Sequence, residues 1–166
     1  MAKNILTKYG SKTTLTAAVE SLASDTNLLA GIESSVIDNT TDGFADIIVS
    51  GKVTTGTSPT SARQIEVWAV AWDGVNWPDV FDGTSSSETI TSFIIKTAIC
   101  RVVAIMPVNS TSDRAYYFSG VSLRGAFGGC LPSKVVLFIV HNTAVNLNAT
   151  AGNHEFSYYG EYPQLQ

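Results

Sequence analysis

The sequence predicts an all-β protein, a jelly-roll-like β-sandwich of about eight antiparallel strands preceded by an N-terminal arm or short helix. From residue 31 onward, short runs of β-branched and aromatic residues alternate with clusters of Gly, Asn, Asp and Ser, which is the pattern of sandwiches and barrels. No helical pattern separates these runs, so a parallel α/β sheet is not expected. The 166 residues suffice for one domain, and a second core is not expected.

Residues 1–30 differ from the rest of the chain. They contain one aromatic residue, Tyr9, and a weak helical spacing in Leu15, Ala18, Val19 and Leu22. We therefore predict an arm or short helix over 1–30 and a β-sandwich domain over 31–166.

The strands of that domain are predicted from their residue types and from the turns between them. Residues that favour turns occur in segments such as Asn39 to Gly43, Asp73-Gly74, Asp82-Gly83 and Gly128-Gly129. The predicted strands, in chain order, are 34–37, 44–54, 64–72, 89–94, 98–106, 115–119, 135–142 and 155–159. Eight is the number found in jelly rolls.

Three of these runs, 64–72, 98–106 and 135–140, are apolar on both faces. In the first, Ile65 and Val67 lie on one face and Trp68 and Val70 on the other. A two-layer sandwich buries one face of each sheet, so the N-terminal arm, a long loop or a neighbouring subunit must cover the second. We expect an oligomer or a docked partner, because large apolar patches usually mark interfaces.

Composition limits the class of partner. Charged residues are only 14% of the chain and the net charge is −4, with Lys and Arg scattered singly. Direct nucleic-acid binding and binding to an anionic membrane are therefore disfavoured. The first residues lack the apolar segment of a signal peptide, so a cytoplasmic protein is expected. Cys100 and Cys130 fit reduced thiols in a core.

No catalytic or cofactor motif is present, and we predict neither an enzyme nor a cofactor. His141 and His154 are the two histidines, and neither has a second ligand at a zinc-binding spacing. His141 ends the apolar run 135–140, so both histidines are interpreted as locally hydrogen-bonded strand-end or turn residues. The Gly-rich segment 125–129 lacks the features of a nucleophile elbow or a phosphate loop.

Two alternatives stay open at this stage. Asp73, Asp79 and Asp82 lie in one loop whose oxygens could bind calcium, although Asp in turns more often bonds its own backbone, and we predict no metal. Exposed aromatic side chains could instead form a platform for a sugar, as in a carbohydrate-binding module. The aromatic residues in question are Trp68, Trp72, Trp77, Tyr116 and Tyr117.

The order of several segments adds a family resemblance. These segments are SSVIDNTTDGFADIIVSGKVTTGT, IEVWAVAWDG with WPDVFDGT, AICRVVAIMPV, RAYYFSG and AFGGCLPSKVVLFIVHNTAVNLNATAGNHEFSYYG. Together they resemble a family of small virion proteins of tailed bacteriophages, over roughly residues 30–160. The resemblance rests on strand and turn patterns.

The resemblance implies a structural protein of the particle, located in the virion and assembled in the host cytoplasm. A capsid decoration or cement protein fits best, with the major capsid protein or other virion proteins as partners and a homo-oligomer such as a trimer. A tail, head-tail connector or fibre-base protein is the alternative. The residues expected to contact a partner are Leu15, Val19, Leu22, Trp68, Trp72, Trp77, Tyr116 and Tyr117.

Overall fold

The computed structural model describes residues 4–165, which fold into two antiparallel sheets packed face to face. The strands are β1 (Ile5–Tyr9), β2 (Thr13–Thr14), β3 (Ala30–Glu33), β4 (Ile37–Asp38), β5 (Asp46–Thr54), β6 (Arg63–Ala71), β7 (Ser87–Thr89), β8 (Cys100–Val108), β9 (Ala115–Ser122), β10 (Lys134–His141) and β11 (Glu155–Leu165). The helices are α1 (Phe93–Ile99) and α2 (Leu123–Ala126), and a 3-10 turn spans Ala151–Asn153.

The predicted all-β sandwich is confirmed. Sheet A has the order β1-β11-β5-β9, with β2 also paired to β11, and sheet B has the order β7-β3-β10-β6-β8, with β4 also paired to β10. From β8 to β11 successive strands alternate between the sheets, so strands that pair are distant in sequence, as in jelly-roll-like sandwiches. The main core lies between the sheets and includes Val49, Val67, Leu137 and Phe156.

Of the predicted arm or short helix over residues 1–30, the helix is wrong, because no helix lies within residues 4–30. β1 and β2 are strands that pair with β11. Leu15 and Val19 are buried in the main core and Leu22 packs against it. The helical spacing of these three residues was misleading because irregular backbone can also direct widely spaced side chains into one core. Strands β1 and β2 and the buried Leu15 and Val19 therefore belong to the sandwich.

The segment predicted as a strand over 89–94 is also wrong in its second half. β7 ends at Thr89, and α1 begins at Phe93. Ser92 caps the helix, since its side chain accepts a hydrogen bond from the Ile95 backbone N–H at 3.3 Å. The isoleucines of this segment favour a strand locally, but the cap and the burial of Lys96 override that preference.

The chain itself covers the second apolar face of sheet B over its central strands β6 and β10. Trp68, Val70, Val136 and Phe138 form a second core on the outer face of β6 and β10. Residues 72–99 lie over them and contribute Phe81, Ile90 and the inner side of α1. The long loop, one of the three predicted covers, therefore covers the second face of β6 and β10. On β8, Val102 and Ile105 stay exposed, so the prediction of an oligomer or docked partner rests on that strand alone.

The run 135–140 forms most of β10, which lies at the centre of sheet B between β6 and the pair β3 and β4. His141 ends this strand, as its place after the apolar run predicts. Of the two cysteines, Cys100 is buried and burial raises its thiol pKa to about 12. Cys130 is exposed, so its predicted place in a core is wrong.

Candidate functional site

The predicted partner-contact residues are mostly covered by their own chain. Leu15, Val19 and Trp68 are buried, so they offer no surface to a neighbour. Leu22, Trp72, Trp77 and Tyr116 are half-buried. Tyr117 alone of the eight is exposed, with 69% of its surface accessible.

The three tryptophans and Tyr116 have partners within the fold. The Trp68 indole N–H donates to the Glu66 carboxylate at 2.7 Å, and Trp77 packs against the second core. The Lys134 ammonium lies 5.1 Å from the Trp72 ring. The Tyr116 hydroxyl donates to the Asn109 side chain at 2.9 Å. The aromatic residues therefore do not form one continuous platform.

Both histidines hold backbone segments together. Nε2 of His141 lies 3.0 Å from the Leu22 carbonyl and therefore donates to it, since a carbonyl only accepts. Burial lowers the pKa of His141 to about 4, so its ring is neutral near pH 7. Nδ1 of His154 accepts the Thr54 N–H at 3.3 Å, and its Nε2 donates to the Asn148 carbonyl at 2.8 Å. Both imidazole rings therefore use their nitrogen atoms in hydrogen bonds that stabilise the fold.

A buried ion pair joins α1 to sheet B. The Lys96 ammonium lies 2.7 Å from a carboxylate oxygen of Glu66, and neither side chain reaches solvent appreciably. Lys96 also donates to the Leu28 carbonyl at 2.6 Å and lies over the Trp68 ring. The sequence signal for this pair was a charged residue inside each of two apolar runs. The pair fastens the cover of the second core and has no open side for a ligand.

The aspartates of the loop 73–82 are divided between two roles. Asp73 accepts backbone N–H bonds from Val75 and Asn76 at 2.7 and 2.6 Å, and these bonds hold its carboxyl pKa below the usual value. This is the turn role expected of Asp in loops. Asp82 lies in a group with Glu33 and Glu88, in which one carboxylate oxygen from each residue lies within 4.8 Å of the others.

Glu33 of this group is fully buried, and its carboxylate accepts N–H bonds from Gly83 at 2.7 Å and Asp82 at 3.3 Å. The carboxyl pKa of Glu33 is raised to about 7, mainly by burial, with a smaller contribution from the charges of Asp82 and Glu88; the two backbone N–H bonds act in the opposite direction. Since the folded pKa exceeds the unfolded value, the folded chain binds more protons than the unfolded chain between about pH 4.5 and 7.

The free energy of unfolding should therefore fall as pH rises through this window, by on the order of 2–3 kcal/mol from this group. Glu33→Gln should remove that part of the decrease, because an amide does not titrate there. Urea unfolding at pH 5 and at pH 8 measures the effect. An equal decrease in both proteins would contradict the role of Glu33.

The two chain ends form a two-stranded extension of sheet A. β11 pairs with β5 only as far as Glu161, whereas Ile5 to Tyr9 pair with Leu165 to Glu161. Residues 162–165 and β1 therefore pair with each other without a third strand among the described residues. We call β1 together with residues 162–165 the terminal ribbon.

The terminal ribbon is apolar and exposed. Ile5 is 68%, Tyr9 63% and Leu165 64% accessible to solvent. A two-stranded ribbon in water is only marginally stable, and a further packing partner stabilises it. These properties suit an arm that docks on another protein.

A second exposed apolar area lies on the outer side of sheet B. It consists of Phe93 and Ile94 on α1 and of Val102 and Ile105 on β8, the edge strand. We call these four residues the apolar flank. It is separate from the terminal ribbon, which belongs to sheet A.

A polar depression of about 270 Å³ lies on the outer face of sheet A. Glu155, Lys52 and Tyr117 form one row across three strands, because Lys52 pairs with both of the others. Ser50 and Ser157 are paired in the neighbouring row. Sequence reasoning found only Tyr117 among the lining residues, because the others are spread over more than a hundred positions of the chain and carry no motif.

No family model matches this chain, and no curated protein does. Within residues 4–165, no helix is both long and apolar enough to cross a membrane.

Proposed function

We propose that this protein is a bacteriophage virion structural protein, and that its role is capsid decoration. On this proposal it binds the major capsid protein on the outer shell and stabilises the head. The single observation that carries a docking role is the terminal ribbon, an exposed apolar extension of sheet A beyond the pairing of β11 with β5. The assignment to a phage particle comes from the sequence resemblance.

The apolar contacts of the terminal ribbon add up, first within one subunit and then over the whole particle. Each exposed Ile or Leu that becomes buried at an interface contributes roughly 1.5–3 kcal/mol. One ribbon thus makes a modest contact, but identical subunits on a symmetric shell repeat it many times, and linked contacts reinforce one another. The apolar flank offers a second contact area on each subunit, which suits association between copies as well as with the shell.

The ribbon predicts a mutational effect on particle binding. The double change Ile5→Ser and Leu165→Ser should lower the occupancy of the protein on particles at least about ten-fold, because both side chains lose apolar burial. Val75→Ser is the matched control, since Val75 is exposed but lies outside both apolar areas. Quantitative mass spectrometry of purified particles assembled with each variant measures occupancy.

Unchanged occupancy of the double variant would rule out the ribbon as the docking arm. The same measurement counts copies per particle. Hundreds of copies support decoration, whereas a dozen or fewer support a tail, connector or fibre-base role. Absence of the protein from particles would overturn the virion proposal altogether.

A further inference from the structure

The depression on the outer face of sheet A has features that the docking role does not use. It combines one exposed aromatic ring, two ammonium groups, one carboxylate and several hydroxyls on adjacent strands. Pockets for drug-sized molecules usually measure about 300–1,000 Å³. At about 270 Å³, this depression has room for one sugar ring.

The aromatic ring stands at one side of the depression. Tyr117 belongs to β9 and directs its side chain away from the core, whereas its neighbour Phe118 is buried beneath. Gly51 lies opposite Phe118 in the sheet, and a Cβ atom there would lie only 2.5 Å from the Phe118 ring. The backbone below the site is therefore closely packed, and Tyr117 offers a flat apolar face above it.

Some polar groups opposite Tyr117 already form hydrogen bonds within the protein, and some of their donors can still bind a ligand. Lys12 forms an ion pair with Glu155, and this contact holds the carboxyl pKa of Glu155 below its ordinary value. The Lys52 ammonium donates to the Gly152 carbonyl at 3.0 Å, which uses one of its three hydrogens. Ser50 Oγ accepts the Gly120 N–H at 3.1 Å and keeps its own hydrogen to donate.

The charge of the depression differs from that of the whole chain. Two lysines and one glutamate leave one positive charge in a protein whose net charge is −4. An anionic group on a ligand would meet the spare donors of Lys52. Hydroxyl groups of a sugar would meet the serines, which can both donate and accept.

We propose that this depression binds one pyranose ring of an acidic saccharide. Tyr117 stacks against the face of the ring, and Lys52 binds its carboxylate. The site is separate from the terminal ribbon, so the inference does not depend on the docking role.

Titration with trigalacturonate, followed by NMR of the backbone amides, tests the proposal. We expect saturable shifts at residues 50, 52, 117, 119 and 157, and weaker binding as salt concentration rises. Tyr117→Ala and Lys52→Met should each weaken binding at least about ten-fold. Phe93→Ala is the matched control and should bind normally. Phe93 is similarly exposed (58%) but lies on α1, on the outer side of sheet B.

Neutral galactotriose serves as the test of charge and should bind at least about ten-fold more weakly than trigalacturonate. Equal binding of the two would overturn the role given to Lys52. Absence of saturable shifts, or an unchanged affinity in Tyr117→Ala, would overturn the site. Both substituted side chains are on the surface, and circular dichroism of each variant verifies that the fold is retained.

Discussion

Replacing Lys96 with methionine is expected to lower the free energy of unfolding by about 3–5 kcal/mol, because it leaves the Glu66 carboxylate buried without a counter-charge. Glu66 would keep the indole N–H of Trp68 and the side-chain amide N–H of Gln64, but two neutral donors do not replace an ammonium at 2.7 Å. Lys96 also holds the Leu28 carbonyl. The loss should loosen α1 and the cover of the second core together.

Urea unfolding at pH 7 measures this loss. The double variant Lys96→Met with Glu66→Gln should recover part of the stability, because no isolated charge then remains in the interior. Lys12→Met is the matched control, since it removes one partner of an exposed ion pair, and exposed pairs contribute little. A Lys96→Met protein as stable as the Lys12→Met protein would show that the buried pair does not hold the cover in place.

Deleting residues 1–25 is expected to abolish folding, not merely partner binding. The deletion removes Leu15 and Val19 from the main core, and losing one buried Leu or Val side chain usually costs about 2–5 kcal/mol. It also removes the backbone bonds from Leu15 N–H to the Phe156 carbonyl and from Leu147 N–H to the Leu22 carbonyl. The sum is comparable to the total stability of a domain, about 5–15 kcal/mol.

Deleting residues 1–9 provides the contrast. It removes β1 but leaves the core residues and β2 in place, so the sandwich should fold while docking through the terminal ribbon is lost. Dispersion of amide signals in NMR spectra distinguishes a folded from an unfolded chain for both deletions. A folded, cooperatively melting product of the 1–25 deletion would contradict the placement of Leu15 and Val19 in the core.

The central strands could be predicted because their many apolar residues indicate that they are buried. β6, β8 and β10 were identified from predominantly apolar runs, and the end of β10 at His141 followed from the polar residues after it. β7 and α1 were misassigned because the β-branched residues of this segment favour a strand locally, while the Lys96 ion pair joins α1 to Glu66, a residue distant in sequence. The N-terminal strands were missed because β1 and β2 carry little apolar periodicity and are specified by pairing with β11, about 150 residues away.

The amino-acid pattern was sufficient to establish the all-β class, the central strands and the need to cover a second apolar face. It could not identify what covers this face. An apolar side chain indicates by itself that it is buried, but whether a loop of the same chain or a neighbouring subunit buries it depends on the path of the chain in the folded structure. The same holds for the depression that contains Lys12, Lys52, Tyr117 and Glu155. Glu155, Lys52 and Tyr117 share a surface only because β11, β5 and β9 pair side by side, and Lys12 joins them because it precedes β2, which also pairs with β11. Such pairing between distant strands follows from the packing of the whole sandwich.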